Sequence, residues 1–149
     1  MARFQFRLKT LLAVREASRD ERRVQLAEAQ AEDRELKERR AILERELANQ
    51  QESVRSGTSP GRLDIDRLIT AHRYDMVLRR ELQVLLEHEQ TLAAEIERRR
   101  EALVAADREV RVLEKLRARQ HEQFRQQQSL VETKQLDEVA AHVTRHEES

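Results

Sequence analysis

A chain of 149 residues has the length of one ordinary domain, but 39% of its residues are charged, only 3% are aromatic, and none is Cys or Trp. So few bulky apolar residues cannot offset the entropy of ordering a layered globule, and the absence of cysteine removes disulfide and thiol chemistry. Basic and acidic residues number 29 each, which leaves no basic excess of the kind a dedicated nucleic-acid binder carries. The abundant residues are Ala, Glu, Leu, Arg and Gln, all strong helix formers and together the signature of long helices and coiled coils.

The chain opens Met-Ala-Arg-Phe4-Gln-Phe6-Arg7-Leu8, placing two of the three phenylalanines at the very start. Charges interrupt this apolar patch and no small-residue cleavage site follows, so no signal peptide is expected and a cytoplasmic location is. No apolar run approaches the roughly 18 residues that span a bilayer. The first arm is predicted as a helix over about residues 4–55. Leu8, Ala29, Leu36 and Leu43 share one heptad position, and Leu12, Leu26, Leu47 and Val54 the other. Between them the seam holds Arg15, Arg19 and Arg22, which would bury their stems and extend charged heads to water. Phe4 and Phe6 either pack across a hairpin near Leu113 and Leu116 or meet a partner at the open end.

Both glycines and the only proline fall in Ser56-Gly57-Thr58-Ser59-Pro60-Gly61, which writes one break, a turn at 56–61. The second helix is predicted over about 62–143, capped by Ser59 or by Asp64. Its heptads are the clearer ones. Leu68, Asp75, Leu82, Glu89, Ile96, Leu103, Val110, Arg117, Phe124 and Val131 form one seam position, and Ala71, Leu78, Leu85, Leu92, Arg99, Ala106, Leu113, Gln120 and Gln127 the other. A single break makes the two arms antiparallel neighbours, so the fold class is all-α, a two-helix antiparallel coiled-coil hairpin with a longer second helix, forming one domain over 1–149. With a turn centred near residue 59, residue i faces roughly residue 118 minus i, setting Leu8 near Val110 and Leu36 near Leu82. Residues from about Arg117 onward then lack an intramolecular partner. A lone helix of that length is marginal in water, so Phe124, Leu130, Val131, Leu136 and Val139 are expected to be exposed, frayed or covered by another protein.

Other features take solvated readings. Arg98, Arg99 and Arg100 are flanked by Glu95, Glu97 and Glu101 at helix-pair spacing, which describes a salt-bridged face. His142 and His146 are four apart, as metal ligands on a helix are, but no further ligands stand near them in sequence. Gln126, Gln127 and Gln128 lie on the expected overhang and read either as filler on a solvated helix or as a surface that forms hydrogen bonds on docking. There is no phosphate-binding glycine loop, nucleophile elbow or Cys/His metal spacing. Catalysis needs groups converging in a water-excluding pocket, which a two-helix ribbon lacks, so no enzyme, no cofactor and no metal are expected.

Three stretches together carry a resemblance: Phe4-x-Phe6-Arg7-Leu8-Lys9-Thr10-Leu11-Leu12 with Val14-Arg15-Glu16 after it, Val112-Leu113-Glu114-Lys115-Leu116-x-x-x-Gln120, and Glu132-Thr133-Lys134-Gln135-Leu136-Asp137-Glu138-Val139-Ala140. In order and spacing they resemble the FliJ family, the stalk protein of the bacterial flagellar type III export apparatus, over essentially the whole chain. The resemblance implies an antiparallel coiled coil similar to the central shaft of rotary ATP synthases. It implies that the open end enters a hexameric export ATPase ring, that the stalk contacts an export-gate membrane protein and binds export chaperones, and that it meets the inner membrane only peripherally, through these partners. The implied ring-facing residues are Phe4, Phe6, Arg7, Leu8, Leu11, Leu12, Leu116, Gln120, Lys134, Leu136, Asp137 and Glu138. The family's gate contact, counted back without gaps from the C-terminal motif, falls on Tyr74, Leu78, Glu81 and Leu85. Glu81 stands where the family has a small residue and Leu85 where it has a polar one, and Leu78 and Leu85 are also seam positions. The alternatives are the stalk of a virulence injectisome and a self-associating structural coiled coil.

Overall fold

The structure is a computed structural model that describes residues 2–57 and 64–148. It is all-α, with α1 (Lys9–Gly57) and a longer α2 (Ile65–Glu147) packed against each other in an antiparallel hairpin. The chain divides into two compact units: a terminal unit, Met1–Asp20 with Val104–Ser149, and a central unit, Glu21–Leu103. Among the described residues no helix is long and apolar enough to cross a membrane.

The helix bounds differ from expectation at all four ends. α1 begins at Lys9, not Phe4, where the Lys9 N–H donates to the Phe6 carbonyl at 3.1 Å. The cause is the two phenylalanines: residues two apart on a helix do not share a face, yet Phe6 is buried in the core and Phe4 packs against that same cluster. Ser56 and Gly57, expected in the turn, are the last residues of α1, while the rest of the expected turn, with Ser59 and Pro60, lies outside the described residues. α2 starts with Asp64 as its cap: the Asp64 carboxylate accepts from the Arg67 N–H at 3.3 Å and its carbonyl from the Leu68 N–H at 3.1 Å. It continues as α-helix to Glu147, past the expected end at Val143.

In the central unit, Leu43, Leu47 and Leu78 are buried together, with Leu82 and Leu85 packed against them. Ala29 and Leu92 are buried as well. Polar pairs cross between the helices alongside these apolar layers. Arg99 Nη1 donates to the Gln25 carbonyl at 2.6 Å, His88 Nε2 lies 3.3 Å from Glu32 Oε1, and Arg40 Nη1 donates to Glu89 Oε2 at 2.7 Å. These partners put residue i opposite roughly residue 124 minus i, about six residues, or roughly 9 Å at 1.5 Å per residue, from the expected 118 minus i. Leu36 therefore does not lie opposite Leu82. The helix ends, Gly57 and Ile65, centre on residue 61 and not 59, which moves the facing residues in this direction.

In the terminal unit, Phe6, Leu12, Val110 and Leu113 form a buried cluster with Phe4, Leu8 and Leu116 against it, and Val110 is wholly enclosed. Arg15 reaches Glu109 at 3.1 Å and is half-buried, as is Arg19; in the central unit Arg22 is exposed and bonds Gln25 at 3.3 Å. The apolar members of the expected α2 seam are buried or half-buried up to Phe124, and Val131 is the exposed exception. Arg98 and Arg99 both donate to Glu95 and Arg100 donates to Glu97, the salt-bridged arrangement that the spacing describes. Arg99 alone of the three turns inward.

Candidate protein-docking surfaces

The first surface is the end of the terminal unit. Ahead of α1, residues 2–6 are not helical, and an extended residue covers about 3.3 Å against 1.5 Å in a helix. This segment carries Phe4 far along α2, where its ring meets His121 edge-on at 5.0 Å and Phe124 at 5.8 Å. Cover therefore runs past Arg117, where it was expected to stop. Arg117 itself is exposed, but Gln120, Phe124 and Gln128 are half-buried, and the uninterrupted exposed stretch begins at Ser129. From there to Glu147 α2 runs as a regular helix with every described side chain exposed, so the tail is exposed and helical.

That tail carries one organised apolar stripe. Leu136, Val139, Ala140 and Val143 recur at i, i+3, i+4 and i+7, one face of a helix, and Leu136, Val139 and Val143 are 70%, 61% and 53% exposed. Leu130 and Val131 are exposed on other faces. Val143 is the residue that sequence reading missed, because the helix was taken to end there; its spacing from Leu136 and Val139 was the available signal. His142 and His146 flank the stripe on the exposed helix, and among the described residues no group of three or more His, Asp or Glu is placed to hold a metal ion.

The expected ring-facing residues thus fall into two sets. Phe6 and Leu12 are core residues, with Phe4, Leu8 and Leu116 packed against them, so these five build the end. Arg7, Leu11, Lys134, Leu136, Asp137 and Glu138 are exposed and Gln120 half-buried, so these seven present the surface.

The second surface lies in the central unit. Of the four expected gate-contact residues, Leu78 is 3% exposed within the core and Leu85 packs on it. Tyr74 is exposed, and Glu81, also exposed, lies 3.7 Å from Arg39. Beside them Val77 and Val84 are 53% and 59% exposed, and they wall a shallow groove of about 370 Å³ floored by Leu43 and Leu85. Tyr74, Val77, Glu81, Val84 and His88 alternate in steps of three and four, so they share one flank of α2.

A family model described as flagellar FliJ protein matches residues 4–149. The chain belongs to the FliJ family. No curated protein and no solved structure gives a significant match. Membership associates the chain with flagellar protein export. FliJ-type sequence matching spans both units and includes the exposed tail.

Proposed function

We propose that this FliJ-family chain is a non-enzymatic stalk of the flagellar export apparatus, working from the cytoplasmic face. Its terminal unit enters the pore of the hexameric export ATPase, and the flank of the central unit around Tyr74 and Glu81 meets the export gate, with export chaperones as further partners. One observation carries the reading. α2 continues from residue 129 to 147 as an exposed helix bearing the Leu136–Val139–Val143 stripe, with no other segment on it among the described residues. Soluble monomers rarely leave organised apolar surface uncovered without using it, and a single helix of this length is marginal unless something packs on it.

The stripe lies on the same helix as the Phe4–Phe124 and Phe6–Val110 packing, beyond its last packed turn, so that packing anchors the helix at the base of the stripe. The test is capture of the cognate ATPase by the full chain and by a chain lacking residues 129–149, a cut that leaves every core residue of the terminal unit in place. Full-length chain should retain the ATPase and the shortened chain should lose it; equal capture by both would sink the reading. Triple substitution of Leu136, Val139 and Val143 by Ser should reproduce the loss without shortening the chain.

A further inference from the structure

The net charge of zero hides a segregation of charge. Residues 108–128 hold six basic and three acidic residues, whereas residues 129–149 hold two basic and five acidic. The first group lies on the covered part of the terminal unit and the second on the exposed tail. In the central unit, by contrast, three successive arginines are neutralised within one turn: Arg98 and Arg99 by Glu95, Arg100 by Glu97.

Arg3, Arg7, Arg108, Lys115, Arg117 and Arg119 are exposed and form no ion pair or side-chain hydrogen bond among the described residues. Three of them, Arg108, Lys115 and Arg119, stand seven and four residues apart on the face of α2 turned away from buried Val110 and Leu113. Between them Val112 is 66% exposed. Arg117 lies on another side, beside Phe4 and His121, next to which the chain carries Arg3 and Arg7. Cations without an ion pair among the described residues stand on more than one side of this unit and make a collar, with one carboxylate, Glu114, beside Arg117.

We propose that this collar docks an acidic protein surface; resting on the reading above, that surface is carboxylate-bearing and lines the pore of the export ATPase ring. The acidic tail argues for a protein against a polyanion. Four acidic residues, Glu132, Asp137, Glu138 and Glu147, follow on the same helix, and they repel a nucleic acid or an anionic membrane laid along it, whereas a protein surface can match both signs in sequence. Exposed Val112 amid the cations also suits a protein contact. The collar steers and orients the stalk through long-range attraction, and the apolar stripe of the tail supplies contact area once docked.

The experiment uses the full chain and the variant R108E/K115E/R119E, with R108Q/K115Q/R119Q as a milder partner should the reversal disturb folding. Three probes are compared: the cognate ATPase, a DNA duplex, and vesicles containing phosphatidylserine. Capture of the ATPase by the wild-type chain should weaken as salt rises, and the reversed variant should lose at least about tenfold in association rate, the neutral variant less. Unchanged ATPase capture by both variants would overturn the collar while leaving the stalk reading intact. Loss of duplex or vesicle retention, with ATPase capture untouched, would assign the cations to a polyanion and equally overturn it. Failure of the wild-type chain to bind the ATPase at all would remove both readings.

Discussion

In the central unit charged side chains are drawn into the helix pairing; in the terminal unit apolar ones carry it. Arg99 reaches across to the Gln25 carbonyl and Arg40 to Glu89, at seam or near-seam positions where a coiled coil ordinarily holds aliphatic residues. The terminal unit closes on Phe6, Leu12, Val110 and Leu113, and leaves most of its cations facing outward. Polar seam pairs specify alignment at some cost in stability, because each charge must be desolvated. Apolar layers give stability but little alignment. The contrast suggests a division of labour: the central unit sets which residues face each other, and the terminal unit is a firm base with its charge free for a partner.

The largest effect should separate core from tail. Leu43, 2% exposed, loses its packing in Leu43→Ala, which should cost about 3 kcal/mol. Leu136→Ala, at a side chain 70% exposed, should stay within about 0.5 kcal/mol. Chemical denaturation of both variants measures the difference. Comparable losses would mean that copies of the chain cover one another's tails, which is the self-associating alternative.

A second contrast lies inside the polar seam. The Glu89 side chain is 11% exposed; Oε2 is held by Arg40, and Oε1 is buried without a partner among the described residues. Arg40→Leu strands that carboxylate and should destabilise by about 1–3 kcal/mol, discounted because Arg40 is itself one-third exposed. Glu89→Leu removes the buried charge and should be close to neutral. The neutral variant carries a further expectation. With an aliphatic residue in place of Glu89 the alignment is less specified, so cysteine cross-linking of positions 36 and 88 should lose yield in Glu89→Leu relative to the parent chain. Undiminished yield would show that the aliphatic layers alone fix the alignment.

That second experiment bears on what the sequence made legible. The Gly/Pro cluster marked the break, and the heptads marked which face of each helix turns inward, since Leu43, Leu78, Leu92, Val110 and Leu113 are all buried as that pattern requires. Heptads repeat, so they identify a face without saying how far one helix is displaced along the other. The offset came from where the helices end and from Arg99 and Arg40, whose partners no local pattern reveals. The extended start was illegible for a related reason: Phe4 and Phe6 fit a helical count until both must pack inward. Of the candidate site, the tail was readable from the shortage of facing residues. Leu78 was readable as either core or contact, and in the folded chain it is 3% exposed.

Loss of the α2 cap should have a smaller effect. Asp64 accepts the Arg67 N–H at 3.3 Å, so Asp64→Ala should cost about 1 kcal/mol, and Asp64→Asn much less, by thermal denaturation.

The smallest expected effect concerns Glu95 and depends on pH. Hydrogen bonds from Arg98, then from Arg99, hold its carboxyl below the ordinary glutamate value of 4.5, with burial opposing them weakly. A carboxyl held low in the folded chain stabilises it above the unfolded value, and that contribution fades as pH falls through the folded one. Glu95→Gln keeps the shape and removes the charge. The Tm of the parent chain should therefore exceed that of Glu95→Gln by a constant margin near neutrality, and the margin should close as pH falls below the unfolded value and through the lower folded one. Added salt should narrow it as well, because the carboxylate is partly exposed. Arg99 also donates to the Gln25 carbonyl, so a margin that persists at low pH would mean that residue 95 acts by placing Arg99 through its shape, and that charge is incidental to the alignment of the central unit.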